Sequence, residues 1–202
     1  MVTPAEGRGA HPIEQESYRL VARMADLSGL GPLSRQVVAR VIHASADLDY
    51  ATSMVIDDEA VAAGIEGLRQ GAPVVTDVET VRSALTTAPA SCYLPPRAPG
   101  GGLTRAAAGM RLAARRAGPR PLVVVGCAPT ALAEVVALAA SGQLDPCLVV
   151  GMPVGFVGAA EAKEALRASG LASVSNRGPK GGSAVAAAAA NAIVKLAGLP
   201  RR

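Results

Sequence analysis

Short runs of β-branched and aliphatic residues alternate along this chain with longer, alanine-rich stretches. The short runs, which have the length of buried strands, lie at 53–56, 73–76, 91–94, 122–126, 147–151 and 172–176. The longer stretches, which predict helices, lie at 59–70, 78–86, 104–117, 129–141, 159–168 and 183–199. Such alternation requires right-handed crossovers between neighbouring strands. The sequence therefore predicts an α/β fold with a mostly parallel sheet and helices on both of its faces.

Two further helical patterns, at 13–26 and 34–46, precede the first strand and predict an N-terminal helical pair. The polar residues 1–12 before them predict a flexible tail. Inside the chain, "PPRAPGGG" at 95–102 predicts a loop, because proline and glycine together disfavour regular structure. A chain of 202 residues fits one hydrophobic core, so we expect a single domain over 1–202.

The charge of the chain bears on its partners. The formal net charge is +4, and the basic residues are scattered instead of forming a stripe. A nucleic-acid site needs a basic face with aromatic stacking residues beside it, and only 2% of these residues are aromatic. We therefore expect no nucleic-acid partner, and a small polyanionic ligand suits the positive excess better.

Membrane and metal roles are also disfavoured. The apolar stretches around Val123 and Ala186 are interrupted by proline, amide or charged side chains, so no membrane span is expected. Cys92, Cys127 and Cys147 are odd in number and lack the spacing of a metal or redox motif. The sequence thus predicts neither a metal site nor a disulfide framework, and the default expectation is that the protein resides in the reducing cytoplasm.

Glycine-rich segments follow three of the predicted strands and lead into helices. They lie at 126–129, 151–158 and 178–183, and they contain Gly155, Gly182 and Ser183. Glycine lets a backbone approach a ligand, and free N–H groups at a helix start favour anions. These segments lack the spacing of a P-loop or of a dinucleotide fingerprint. They predict carboxylate or phosphate binding, although strand-to-helix turns that need a positive φ angle explain the glycines equally well.

The helix at 34–46 carries His43, one of two histidines in the chain. Arg40, His43 and Asp47 follow each other at steps of three and four residues, so they share one face. A histidine between a cation and a carboxylate can be tuned as an acid or base near neutral pH. An ion cluster on a helix surface would show the same pattern, and the spacing alone does not separate the two.

Several motifs together resemble the precorrin-8X methylmutase family of cobalamin biosynthesis. The most specific are "GMPVGFVGAAEAKEAL" at 151–166 and "GGSAVAAAAANAI" at 181–193. Supporting matches are "IEQESY" at 13–18, "RVIHASAD" at 40–47, "GAPVVTDVETV" at 71–81, "LTRAA" at 103–107 and "GCAPTAL" at 126–132. The resemblance spans nearly the whole chain and agrees with the α/β fold predicted from the residues.

The resemblance implies an isomerase that moves a methyl group from C-11 to C-12 of precorrin-8X and gives hydrogenobyrinic acid, without a cofactor. The cobalt-containing substrate, which gives cobyrinic acid, remains an alternative. The family's proton donor or acceptor corresponds to His43, and its substrate contacts correspond to Ser17 and Arg40. Thr104 and Arg105 match a family pair suited to a substrate carboxylate, although Thr104 could equally cap a helix. The family's usual form is a homodimer with its site near the subunit interface.

The chain departs from the family pattern at a few positions. Glu16 stands where an arginine is usual, Cys127 replaces an asparagine, and Glu79–Thr80 replaces Asn–Met. These differences put substrate affinity in question, and they motivate a second hypothesis of a non-catalytic corrinoid-binding protein. A third hypothesis, a nucleotide-binding α/β protein, rests on the glycine-rich segments alone.

Overall fold

The computed structural model describes residues 11–199, which contain nine helices and six strands. The helices are α1 (Pro12–Met24), α2 (Pro32–Ser45), α3 (Tyr50–Ser53), α4 (Asp58–Arg69), α5 (Glu79–Ala84), α6 (Arg105–Arg116), α7 (Pro129–Ala140), α8 (Ala159–Ala168) and α9 (Ser183–Leu196). The strands are β1 (Met54–Val55), β2 (Val74–Thr76), β3 (Ala90–Cys92), β4 (Leu122–Val125), β5 (Leu148–Gly151) and β6 (Ser173–Asn176). None of the helices in this part of the chain has the length and apolar character needed to cross a membrane.

The six strands form one sheet in the order β1-β6-β5-β4-β2-β3. Strands β2 to β6 pair in parallel, which confirms the mostly parallel sheet predicted from the sequence. Only β1 runs antiparallel, with Met54 opposite Asn176 and Val55 opposite Ser175. A strand of two residues carries no sequence pattern that fixes its direction, so its pairing with β6 decides it.

Helices cover both faces of the sheet, as predicted. Successive side chains of a strand point to opposite faces, and in β4 Leu122 and Val124 face one core while Val123 and Val125 face the other. The first core packs against α1, α2, α4, α5 and α9, and the second against α6, α7 and α8. These strand residues are almost completely buried, and each such valine or leucine contributes about 1.5–3 kcal/mol.

The predicted N-terminal helical pair is present as α1 and α2, which pack against each other. Residues 1–10 of the predicted tail lie outside the described residues, whereas Pro12 is already the first residue of α1. The helix begins there because His11 caps it, accepting a hydrogen bond from the Ile13 N–H at 3.3 Å. The predicted tail therefore overlaps the first residue of α1.

A residue from another helix fixes the start of α2. The Asp58 carboxylate accepts hydrogen bonds from the Ser34 N–H at 2.8 Å and from the Ser34 hydroxyl at 2.6 Å. The Leu33 N–H donates to the same carboxylate at 3.3 Å. Because Asp58 belongs to α4, this tertiary cap anchors α2 against the helix that packs beneath the sheet.

The loops at the carboxyl end of the sheet are held by a buried aspartate. Asp77, which follows β2, accepts hydrogen bonds from the N–H groups of Gly126, Cys127 and Ala128 at 3.2, 2.9 and 2.8 Å. Burial raises the pKa of Asp77, although these three donors oppose the rise. The side chain thereby fixes the loop from β4 to α7, at the edge where ligands bind in folds of this class.

Candidate active site

The histidine of α2 meets a polar face of α1. Ser17 Oγ lies 2.7 Å from His43 Nδ1, and the Tyr18 ring stacks on the imidazole with centroids 4.9 Å apart and an interplanar angle of 19°. No hydrogen-bond partner for His43 Nε2 occurs among residues 11–199. The ring is thus held by one nitrogen and by one face.

Two charged groups lie beside the imidazole. Arg40 Nη1 donates to Glu14 Oε1 at 3.2 Å and to the Tyr18 hydroxyl at 3.3 Å. Both members of this ion pair are about one-third exposed, at 32% and 33%. The structure therefore brings His43, Ser17 and Arg40 together, as the sequence predicted for these three residues.

The surroundings lower the pKa of His43 from the ordinary value of 6.5. Burial is the main cause, since an imidazolium loses hydration there, and the charge of Arg40 adds to it. Glu14 acts in the opposite direction and raises the pKa. The neutral imidazole is accordingly the favoured form of His43 in this structure at neutral pH.

Asp47 does not join this cluster, contrary to the expectation from helical spacing. It pairs with Lys180, whose Nζ lies 2.8 Å from Asp47 Oδ2 and 2.6 Å from Asp49 Oδ2. Asp47 follows the end of α2, where Ala46 adopts a left-handed conformation with φ of 53° that turns the chain away from the helix axis. The carboxylate that influences the pKa of His43 is therefore Glu14.

The Lys180 pair places the end of α2 beside the loop between β6 and α9. His43 lies in the last turn of α2, and Asp47 follows the end of this helix by two residues. Lys180 belongs to the segment 177–182, which follows β6 and leads into α9. The end of α2, which carries His43, consequently lies beside the segment that follows the carboxyl end of β6.

Two of the predicted glycine residues tie neighbouring loops together at this edge. The Gly155 N–H donates to the Pro179 carbonyl at 3.1 Å, and the Gly182 N–H donates to the Met152 carbonyl at 2.9 Å. Both have positive φ angles, of 153° and 126°, which L-residues rarely adopt. These conformations require glycine for the backbone alone, so the turn interpretation accounts for their presence.

The remaining predicted residues occupy helix starts. Ser183, the first residue of α9, has its Oγ 3.0 Å from Thr80 Oγ1. Thr104 caps α6 by accepting from the Ala107 N–H at 3.2 Å, and its Oγ1 lies 2.7 Å from Thr130 Oγ1. The capping alternative for Thr104 is thus correct as geometry.

Arg105 is exposed at the first position of α6, and its Nε donates to the Pro95 carbonyl at 2.8 Å. The hydrogen bond ties the start of α6 to the loop at 95–102, which contains neither helix nor strand apart from one bridge between Gly100 and Leu103. A guanidinium has five donors, so this single bond leaves others for an anion.

Comparison with known proteins identifies the family and its fold. The sequence pattern of the precorrin-8X methylmutase family matches residues 12–196. The chain belongs to the precorrin-8X methylmutase family. It is therefore a member of an isomerase family of cobalamin biosynthesis, and the resemblance seen in the motifs is confirmed.

Relatives of this methylmutase carry two names. A protein of Methanothermobacter thermautotrophicus, described as cobalt-precorrin-8 methylmutase, is 40% identical over 205 residues and the match covers 97% of both chains. A Sinorhizobium protein described as precorrin-8X methylmutase is 34% identical, over 93% of this chain and 95% of its own. A crystal structure of precorrin-8X methylmutase from Thermus thermophilus superposes with a TM-score of 0.83 at 34% identity, covering 93% and 98% of the two chains.

The residues in which this methylmutase departs from the family pattern lie apart from the imidazole contacts. Glu16 is exposed and pairs with Arg19 at 3.4 Å along α1. Cys127 is exposed, and its backbone N–H rather than its thiol makes the hydrogen bond to Asp77. Glu79 forms an ion pair with Arg82 within α5. These carboxylates are thus each neutralised by a neighbouring arginine.

Sequence reasoning did not select Glu14 or Tyr18, although both contact the His43–Arg40 pair. Helical spacing would have found them, because Ser17 and Tyr18 lie three and four residues after Glu14 on α1. Lys180 gave no such indication, since its partner Asp47 is distant along the chain. No group of three or more histidine, cysteine or carboxylate side chains that could hold a metal ion occurs within the described part of this methylmutase.

Proposed function

We propose that this methylmutase moves a methyl group from C-11 to C-12 of precorrin-8X to give hydrogenobyrinic acid, with His43 as the proton donor or acceptor. The observation that carries the proposal is the arrangement of the imidazole. Its Nδ1 lies 2.7 Å from Ser17 Oγ, its face stacks on Tyr18, and Nε2 has no partner among residues 11–199. Membership of the family supplies the reaction, and this geometry supplies a side chain able to assist it.

The proposed reaction is balanced within the substrate. The bond between C-11 and the methyl carbon breaks as the bond between C-12 and that carbon forms, so no electrons enter or leave. A proton given to the nitrogen of ring C assists the shift and returns to His43 afterwards. General acid–base assistance of this kind contributes about 10²–10⁴-fold to a rate.

Ser17 has a defined part in this proposal. When its hydroxyl donates to Nδ1, the neutral imidazole carries its hydrogen on Nε2, the nitrogen proposed to face the substrate. Binding of a polycarboxylate adds negative charge near His43 and raises its pKa toward the imidazolium form. The imidazole that is neutral without ligand thereby gains a proton when substrate is present.

The substrate carboxylates find several cationic or N–H groups near the same edge. We assign one carboxylate to Arg40, which would exchange its bond to Glu14 for one to the substrate. A second is assigned to Arg105 with Thr104, and a third to the start of α9 at Gly182 and Ser183. Gly155 lines the neighbouring loop, close enough to the α9 start to hydrogen-bond Pro179.

Cobalt-precorrin-8 is a second candidate substrate. The specific observation in its favour is the 40% identity to the Methanothermobacter thermautotrophicus protein named for that compound. The ion would enter as part of the substrate, so it requires no ligand from the chain. The two candidates share the methyl shift and the proposed role of His43.

We also propose a homodimeric, cytoplasmic enzyme whose residues 1–202 form a single domain. Large apolar side chains are exposed on α1 and on the loop after β5: Ile13 is 74%, Met24 63% and Phe156 98% exposed. Exposed apolar surface of this kind favours a protein contact. The three cysteines are free, which suits a reducing compartment. Light scattering during size-exclusion chromatography tests the dimer.

A single-turnover assay tests the function. Wild type, His43→Ala and the matched control His11→Asn are each mixed with precorrin-8X, and separately with its cobalt form, with the protein in excess over the pigment. The absorbance spectrum is recorded during the reaction. We expect wild type and His11→Asn to convert one of the pigments and His43→Ala to slow conversion by at least 10²-fold.

Two other outcomes would change the conclusion. Equal rates for wild type and His43→Ala would remove the proposed role of the imidazole. Binding of both pigments by wild type without conversion would favour the corrinoid-binding alternative.

A further inference from the structure

Lys163 is a fully buried lysine on α8, with an exposed fraction of 0%. Its neighbours Ala162 and Leu166 belong to the core between the sheet and α6, α7 and α8. The Nζ atom donates to the Lys180 carbonyl at 2.6 Å and to Asn176 Oδ1 at 3.2 Å. No carboxylate within residues 11–199 forms an ion pair with Lys163, so neutral oxygens alone satisfy it.

Burying a lysine without a partner charge costs hydration free energy. Burial lowers the pKa of Lys163 to about 8, and the nearby charge of Arg167 adds to the effect. Lysine is almost never fully buried without a partner charge, and apolar side chains of similar volume often replace buried ion pairs without loss of stability. The reason for an amine at this position therefore lies in what its two hydrogen bonds hold.

One of these bonds ends on the segment 177–182, which leads into α9, and the other ends on Asn176, which directly precedes this segment. The Lys180 carbonyl accepts from Lys163 and also from Asn176 Nδ2 at 2.9 Å, and Asn176 Nδ2 lies 3.1 Å from the Arg177 carbonyl. Asn176 itself is fully buried at the end of β6. The backbone of 177–182 is consequently fixed from the protein interior at its middle and at its start.

Two further contacts, made by the Lys180 side chain and by Gly182, link the segment 177–182 to elements of the proposed active site. The Lys180 ammonium pairs with Asp47 and Asp49, which follow the end of α2, the helix that carries His43. Gly182 donates to Met152 and begins α9. One continuous set of contacts thus runs from the Lys163 amine through Lys180 to the residues that follow the helix carrying the imidazole.

We propose that Lys163 is a positioning residue, which holds the segment 177–182 so that Lys180 braces the end of α2 and the start of α9 faces the substrate. Lys163 contacts neither substrate nor His43 in this arrangement. The substrate part of the inference rests on the proposed function, whereas the anchoring of the segment does not.

The test compares Lys163→Met, which fills the same space without donors, with Leu166→Met as a control on the same buried helix. Amide exchange is measured on peptides that contain Gly155 and Gly182, and trypsin cleavage is measured after Arg177 and Lys180. For Lys163→Met we expect at least tenfold faster exchange and cleavage below the melting temperature. We also expect at least a tenfold higher substrate concentration for half-maximal single-turnover rate, while Leu166→Met resembles wild type in every readout.

A second variant covers poor folding of Lys163→Met. Asn176→Ala removes the Oδ1 that accepts from Lys163 and the Nδ2 that donates to the carbonyls of Arg177 and Lys180. It is expected to raise exchange and cleavage of the segment 177–182 in the same way. The proposal would be overturned if folded Lys163→Met exchanged and was cleaved at the wild-type rates. It would also be overturned if exchange and cleavage rose while the substrate concentration for half-maximal rate stayed unchanged. Failure of wild type to convert either pigment would instead count against the proposed function, and exchange and cleavage would still decide whether Lys163 anchors the segment.

Discussion

Ser17 Oγ and His43 Nδ1 lie 2.7 Å apart, although 26 residues separate them along the chain. The contact joins α1 to α2 across the N-terminal helical pair and fixes the ring nitrogen that faces the protein. Tyr18, the next residue on α1, covers one face of the same ring. A single helix face therefore sets both the position and the orientation of the candidate catalytic imidazole.

Ser17→Ala is expected to slow conversion about tenfold, because a lost hydrogen bond of about 0.5–1.5 kcal/mol lets the imidazole change tautomer and orientation. The measurement is the single-turnover rate at saturating pigment. Ser28→Ala provides the control, since Ser28 is exposed and its side chain has no contact with His43. An unchanged rate in Ser17→Ala would separate the observed contact from the chemistry.

Glu14→Gln is expected to lower the pKa of His43 further. Glu14 is the group that opposes burial and Arg40, so its neutral replacement leaves both effects uncompensated. Proton NMR titration of the imidazole Cε1–H measures the shift, with His11→Asn used to assign the two histidine signals. Glu16→Gln is the matched control, because Glu16 pairs with Arg19 on another side of α1. A higher or unchanged pKa of His43 in Glu14→Gln would contradict the electrostatic assignment.

Stability is expected to fall below neutral pH partly because of the same histidine. In the unfolded chain His43 titrates near 6.5, and in the folded protein its pKa is lower, so the unfolded state binds more protons between the two values. The contribution of His43 to the free energy of unfolding is fully present above about pH 6.5, and it is lost as the pH falls through the folded-state pKa. Urea unfolding at several pH values is compared for wild type and His43→Asn. Parallel curves for the two proteins would argue against a depressed pKa.

Gly181→Ala is expected to destabilise the fold more than Gly142→Ala. Both glycines have positive φ angles, of 155° and 69°, so alanine is strained at either position. At Gly181 the added Cβ would also collide with the backbone carbonyl of Met152, whereas at Gly142 it would meet open space. The difference in unfolding free energy is expected to be about 1–3 kcal/mol, the usual cost of overpacking. Equal losses would show that the two loops relax around a Cβ equally well.

The sequence predicted the order and type of nearly all elements. Hydrophobic runs such as "LVVV" at 122–125 are buried on both faces of the sheet, and amphipathic or alanine-rich stretches form the covering helices. The boundaries shifted by a few residues where capping decided them. The predicted helix at 34–46 begins at Pro32 because Asp58, from α4, supplies its cap. The short α3 and the direction of β1 were not predicted, because four- and two-residue elements carry almost no periodicity.

The candidate site was predicted only in part, because local helical spacing determines some of its contacts and tertiary contacts determine the others. Arg40 and His43 share a helix face, which local spacing determines, and the family motifs pointed to Ser17. The prediction of Asp47 as the carboxylate beside His43 was wrong, since Asp47 lies past the end of α2 and pairs with Lys180. Helical spacing ceases to apply where a left-handed residue ends the helix.

The sequence by itself determined the α/β class, the helix face that carries His43 and the membership of the methylmutase family. Tertiary structure alone decided that Glu14 tunes the imidazole, that Tyr18 covers it, and that the buried Lys163 amine donates to the Lys180 carbonyl. The physical reason is the range of the interactions. Secondary structure follows from neighbours a few residues apart, whereas a pKa or a buried hydrogen bond depends on groups that only folding brings together.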